Sequence, residues 1–254
     1  MMLSTRLNYK SAGGTVSTDN RKIKAVIFDL DNTLTDFMLA KRNAILAAAD
    51  AMIDTGLQMD QKTVYDTIFK LYDEIGIEHQ RVFNKFLEQE VGTVEDKVLA
   101  SAVCAYRRAR EAALVPYPHV LLTIHRLVKD GYKLAVVSDA PRFEAWLRLS
   151  YLRLNHFFDV VLAHDDTKHH KPSPIPFEMA LERLGVTAEE AVMIGDWPER
   201  DIVGAGGVGL HTVYARYGDT YDTSIRKSDG DSGADFEVDD IMQLLDVIAT
   251  LNGE

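Results

Sequence analysis

Four short apolar runs divide the chain, at 24–28, 133–137, 160–163 and 191–194, each closed by turn-forming or acidic residues. A weaker fifth run covers 209–214. Runs of this length without polar alternation predict strands buried on both faces. Between them the spacing turns helical. One such stretch, 120–129, is followed by Gly131, and another, 174–184, by Gly185, where a helix is expected to stop. Thr187 and Glu190 have the spacing of a capping box. Strands alternating with helices of this length predict an α/β fold with a doubly wound parallel sheet.

One interval breaks the alternation. From about residue 37 to 115 the pattern is helical throughout, in about four segments. Val64, Ile68, Leu71 and Ile75 form one stripe, and Val82, Phe83, Phe86 and Leu87 another. A helical block of this length between the first two strands predicts an inserted all-helical domain at 37–115, with 22–36 and 116–254 forming the core. Residues 1–21 are polar and rich in Gly, Ser and Thr, and read as a mobile tail. The Asp-, Ser-, Thr- and Gly-rich stretch 218–234 reads as an irregular surface loop before a final helix at 239–251.

Composition narrows the function. With 254 residues, 46% of them hydrophobic and 26% charged, the chain is expected to be a soluble globular protein. A net charge of -11 argues against nucleic acid or an anionic membrane as partner, while leaving room for a small anion at a locally positive site. No apolar run approaches the ~20 residues of a membrane span. The single cysteine, Cys104, excludes an internal disulfide and fits a reducing, cytoplasmic location.

The segment with the most chemical content is Ala25-Val-Ile-Phe-Asp29-Leu-Asp31-Asn-Thr33. An apolar strand there delivers two carboxylates at its carboxyl end, where open α/β sheets bind ligands. Spacing of i, i+2 sets both on one side of extended backbone. One carboxylate could attack phosphorus while the other handles the leaving-group proton, with a magnesium ion to let two anions approach. An acidic turn after a strand looks the same, and this segment alone does not decide.

Three further segments follow in order: Val136-Val-Ser138-Asp139, His170-Lys171-Pro172, and Val192-Met-Ile-Gly195-Asp196-Trp-Pro-Glu-Arg-Asp201. With the first, they resemble the four motifs of the haloacid dehalogenase superfamily, from Lys22 to about Leu251, with the helical block where that family places a helical cap. The general layout is similar to archaeal-type glyceraldehyde 3-phosphate and phosphoglycolate phosphatases. The resemblance implies a Rossmann-like core and a Mg²⁺-dependent phosphatase acting on a small phosphorylated metabolite through an aspartyl-phosphate. Asp29 would be the nucleophile and Asp31 the acid and base. Thr33, Ser138, Asp139 and Lys171 would bind the phosphoryl group. Asp29, Asp31 (through its carbonyl) and Asp196 would hold Mg²⁺, with Asp201 in support. The assembly is expected to be a monomer or homodimer.

Two relatives in chemistry remain as alternatives. A 2-haloacid dehalogenase needs no metal and has no use for a general acid at Asp31, because halide leaves without a proton. A phosphomutase keeps both aspartates, but Asn32-Thr33-Leu34 is more similar to the phosphatase members. An inactive binding protein on the same fold is a third alternative, against which the intact set Asp29, Asp31, Lys171 and Asp196 counts. Two departures from the family pattern stand out: Lys168 where a glycine is usual, and Trp197-Pro198 inside the fourth motif. His169 and His170 are adjacent, and adjacent residues rarely converge on one ion. Arg107 and Arg110, three apart on a helix, are candidates for holding an anionic substrate tail.

Overall fold

The computed structural model describes residues 21–219 and 231–254. The expected mobile tail falls on 1–20, and most of the expected surface loop on 220–230, both outside the described residues. Arg21, read as the end of that tail, donates to the Asp130 carbonyl at 2.5 Å and lies over the Tyr132 ring at 4.5 Å.

Six parallel strands form one sheet: β1 (Ala25–Phe28), β2 (Lys133–Val137), β3 (Val160–Leu162), β4 (Ala191–Gly195), β5 (His211–Ala215) and β6 (Phe236–Val238). Their order is β3-β2-β1-β4-β5-β6. The expected doubly wound parallel sheet is therefore present. Because β1 has β2 on one side and β4 on the other, chain direction switches at its carboxyl end and opens a crevice there.

Alternation across the pleat explains why these strands read as unbroken apolar runs. Val26 and Phe28 face one core with Leu134, Val136, Val192 and Ile194. Helices α5 (Val120–Lys129), α6 (Arg142–Tyr151) and α10 (Leu244–Asn252) cover that face. Ala25 and Ile27 face the other with Ala135, Val137, Ala191 and Met193, under α8 (Pro174–Leu184) and α9 (Val203–Val208). Local signals set the ends: Ser173 caps α8 with Pro174 in its first turn, and Gly185 closes it at φ 64°. The expected capping box is formed, with Thr187 N–H donating to Glu190 at 3.1 Å.

Four helices fill the interval after β1: α1 (Phe37–Asp54), α2 (Gln61–Ile75), α3 (Val82–Glu90) and α4 (Asp96–Ala113). Both predicted stripes point into a core of their own, where Ile68, Phe86 and Leu87 meet Ile45 and Met52 of α1. These helices form the inserted cap. It connects to the sheet domain by two adjacent strands of backbone. Thr35 pairs with Pro116, Thr35 Oγ1 donates to the Val115 carbonyl at 2.7 Å, and Tyr117 N–H donates to the Leu34 carbonyl at 3.0 Å. A short helix, α7 (His164–Thr167), follows β3. Among the described residues no helix is long and apolar enough to cross a membrane.

Phe28 is wholly buried on β1, one residue before Asp29, and packs edge-on against Phe158 at 6.0 Å. Phe28→Ala is expected to cost about 3–5 kcal/mol of stability, measured by urea unfolding; a change under about 1 kcal/mol would contradict this packing account.

Candidate active site

Asp29 follows β1 directly, and its N–H donates to the Ile194 carbonyl of β4 at 2.9 Å, so the strand's hydrogen bonding continues through the residue. Its side chain is buried. Lys171 Nζ donates to Asp29 Oδ1 at 2.5 Å and to the Val137 carbonyl of β2 at 3.2 Å, and pairs with Asp201 Oδ1 at 2.6 Å. Only 5% of Lys171 is exposed. Burial alone would lower its pKa, but Asp201 and Asp29 outweigh that and hold the ammonium above the ordinary lysine range. For Asp29, burial pushes the carboxyl up and the same ammonium pulls it back.

Each partner of Lys171 is fixed in turn. Asp139, just past β2, accepts from the Lys171 N–H at 3.0 Å and so pins the loop that carries the lysine. Asp201 sits in a wide turn of π type, Pro198–Ile202, and its Oδ2 accepts from the Trp197 N–H at 3.0 Å. Gly195 makes room for it: a Cβ there would overlap the Asp201 side chain.

Asp196, 2% exposed, brings a third carboxylate. Oxygens of Asp29, Asp196 and Asp201 lie within 4.8 Å of one another. Three buried carboxylates against one ammonium leave a negative excess, and hard oxygen donors of this kind suit a divalent cation such as Mg²⁺. Both oxygens of Asp201 are already engaged, by Lys171 and by the Trp197 N–H, whereas Lys171 takes only Oδ1 of Asp29, so Asp29 and Asp196 are the side chains best placed to ligate it.

Thr33 Oγ1 lies 3.4 Å from Asp29 Oδ2, and Ser138 is buried after β2, its Oγ accepting from the Ala140 N–H at 3.2 Å. Asn32 makes the intervening turn at φ 59°, and its side-chain oxygen accepts from the Met38 N–H at 3.1 Å, tying the turn to α1. Tyr217 Oη donates to the Thr33 carbonyl at 2.9 Å. Asp31 lines the crevice at the end of β1 with 22% of its side chain exposed. Burial pushes its carboxyl up to about 6, against the opposing pull of Arg148.

The cavity has a volume of about 510 Å³ and brings together Asp29, Asp31, Ser138, Lys171, Asp196 and Asp201 beneath the cap segment Gly76-Ile77-Glu78. Trp197 lines it, with the Arg200 guanidinium 3.9 Å over the ring. His170 stacks on His164 at 3.9 Å with planes 10° apart, a parallel pose in which the two rings do not converge on an ion. Lys168, at the usual glycine position, adopts φ 59°, the left-handed conformation that glycine accommodates without strain.

Arg107 and Arg110 are not brought to this cavity. Both line a neighbouring one, and Arg110 is bound to Glu144 of α6 at 3.1 Å. Their helical spacing is correct, but α4 turns that face toward α6. Arg148 and Glu78, in contrast, reach the site without any motif: Arg148 donates to Asp31 Oδ2 at 2.8 Å and pairs with Glu78. Their partners are far away in sequence, so no spacing marks them.

Gly195→Ala is expected to displace Asp201 and cost about 1–3 kcal/mol, read by urea unfolding. Unchanged stability would mean that the turn carrying Asp201 yields freely.

A family model, the haloacid dehalogenase-like hydrolase, matches residues 23–209. A glyceraldehyde 3-phosphate phosphatase of Methanopyrus kandleri is 37% identical over 231 residues, 90% of this chain and 98% of that protein. Among solved structures, a HAD phosphatase from Thermococcus onnurineus superposes with a TM-score of 0.63 at 26% identity, covering 89% of this chain and 98% of its own. A 2-haloacid dehalogenase from Pseudomonas syringae superposes equally, at 0.63 and 27% identity, over 90% of this chain and 99% of its own.

Proposed function

The chain belongs to the haloacid dehalogenase-like hydrolase family, and on that premise we propose that it is a phosphatase. It hydrolyses a small phosphate monoester through an aspartyl-phosphate on Asp29, with Mg²⁺ as cofactor. In this reading 22–36 and 116–254 form the core and 37–115 the cap that closes over the substrate. The observation that carries it is the second carboxylate: Asp31 lies in the cavity beside Asp29, with its pKa raised to about 6 by burial. Carbon–halogen cleavage has no use for such a proton donor. Phosphate ester cleavage needs one.

The chemistry runs in two displacements. Asp29 attacks phosphorus, the P–O bond to the leaving group breaks, and its electron pair stays on the departing oxygen, which takes a proton from Asp31. Water then attacks the aspartyl-phosphate, giving its proton to Asp31, and the P–O bond to Asp29 breaks. The products are the alcohol and inorganic phosphate, with both aspartates restored. Thr33 and Ser138 donate hydrogen bonds to the equatorial oxygens, where charge spreads in the transition state. Lys171 balances the charge of nucleophile and phosphoryl group from its fixed place between Asp29 and Asp201. Asp29, Asp196 and the Asp31 carbonyl would hold Mg²⁺, which would supply charge neutralisation at the phosphate.

The substrate favoured is a three-carbon or similarly small ester, in keeping with the Methanopyrus relative and its near full-length match. A panel of glyceraldehyde 3-phosphate, 2-phosphoglycolate and p-nitrophenyl phosphate tests the reading, with chloroacetate and 2-chloropropionate as controls. Phosphate release should require Mg²⁺, stop with EDTA, and vanish in Asp29→Asn. Mg²⁺ at 100 times its Kd should also stabilise the wild type by about 2.7 kcal/mol, and Asp196→Asn should lose that gain. Metal-independent chloride release, or phosphate release unaffected by Asp29→Asn, would overturn the proposal.

A further inference from the structure

Arg148 is a buried arginine with two carboxylate partners, one from each side of the crevice. It lies on α6, with 3% of its side chain exposed. One guanidinium nitrogen, Nη1, donates to Asp31 Oδ2 at 2.8 Å, and Nη2 donates to Glu78. Its flat face rests on the Phe37 ring at 4.4 Å. Asp31 comes from the strand end of the core, whereas Glu78 comes from the segment between α2 and α3, and Phe37 opens α1. The cation is thereby fixed from three directions, and a guanidinium held by two carboxylates and a ring has little freedom to turn.

The effect falls on Asp31. Its two oxygens are in different states: Oδ2 is bound by Arg148, and Oδ1 is buried with no hydrogen-bond partner. A carboxyl free to rotate about its last bond would offer either oxygen at any angle. Held by one oxygen, it keeps a single pose. Asp31 lines the cavity that holds Asp29, so that pose sets where its carboxyl stands against a departing oxygen.

We propose that Arg148 is the positioning residue of the general acid: it grips Oδ2 of Asp31 and so fixes where the carboxyl stands against the leaving-group oxygen, and Glu78 holds the guanidinium in that pose from the cap. The proposal rests on the reading of Asp31 as acid. It adds that the cap segment, through Glu78, takes part in holding the acid's partner. Arg148 itself touches no reacting atom.

Leaving-group demand separates positioning from mere structural support. p-Nitrophenyl phosphate expels a stable anion that needs little help from an acid, whereas glyceraldehyde 3-phosphate expels an alkoxide that needs a proton. With enzyme in excess over substrate, single-turnover cleavage of both is followed in wild type, Arg148→Met, Arg148→Lys, Glu78→Gln and Asp31→Asn. Arg148→Met should slow glyceraldehyde 3-phosphate cleavage by about 100-fold and p-nitrophenyl phosphate cleavage by less than about threefold. Arg148→Lys, which keeps the charge but not the fork, should recover part of that difference. Glu78→Gln should shift the ratio in the same direction by a smaller factor.

The ratio of the two rates comes from one preparation, so a fraction that fails to fold lowers both alike and leaves the ratio unmoved. Arg148→Lys and Glu78→Gln carry the test if the methionine variant is insoluble. Equal slowing of both substrates in the Arg148 variants, or no slowing, overturns the proposal. Asp31→Asn stands as the reference: the acid reading itself fails if that variant shows no leaving-group dependence, whatever Arg148 does.

Discussion

A single ammonium group holds the site together. Lys171 Nζ is buried between the carboxylates of Asp29 and Asp201 and also reaches the end of β2 through the Val137 carbonyl. Isolating a charge from water is costly unless it is paired with good geometry. This one is paired twice, and the cost of burial sets how exactly the surrounding backbone must be placed. Asp139 holds the lysine's loop, Gly195 gives up its side chain to seat Asp201, and Asp29 stays in register with β4. The ends of β1, β2 and β4 are thus tied to one point, and the apolar strands behind them act as a rigid backing.

A second cation links this centre to the cap. Arg148 is to Asp31 and Glu78 what Lys171 is to Asp29 and Asp201: a buried donor shared by two carboxylates. The difference lies in where the carboxylates come from. Both partners of Lys171 belong to the core, so that triad is indifferent to cap position. Arg148 spans the crevice, and the cap joins the core at the paired connections of Thr35 and Pro116. A cap motion about those connections would strain the Arg148 pairing while leaving the nucleophile in place.

Most of what is legible in the sequence lies where a buried strand ends in a functional residue; Lys171, in the loop between α7 and α8, is marked instead by the Lys-Pro motif. β2 occupies the predicted run without change, and β1 and β4 differ by one residue, because runs buried on both faces have sharp polar boundaries. The predicted 209–214 run shifts to His211–Ala215, since Gly209 is used at φ 95° to end α9. The edge strand β6 was not foreseen: it has three residues, and only Val238 is buried. At the site, Asp29, Asp31, Thr33, Ser138, Lys171, Asp196 and Asp201 were named from local motifs, and all come together around one crevice. Arg148 was not named, because its partners lie 117 and 70 positions away and the helix it stands on has no chemical pattern. Arg107 and Arg110 show the converse, with correct helical spacing but a face turned toward a different cavity.

The central claim is that Asp29 becomes covalently bound to phosphorus. Asp31→Asn slows the second displacement by removing its base, so the adduct should accumulate there. Acid quenching during reaction with p-nitrophenyl phosphate and Mg²⁺, followed by peptide mass spectrometry, reads it directly. One phosphoryl group is expected on the peptide containing Asp29 and none elsewhere. A phosphoryl group on another residue, or nitrophenol release from a chain that is never modified, would contradict it.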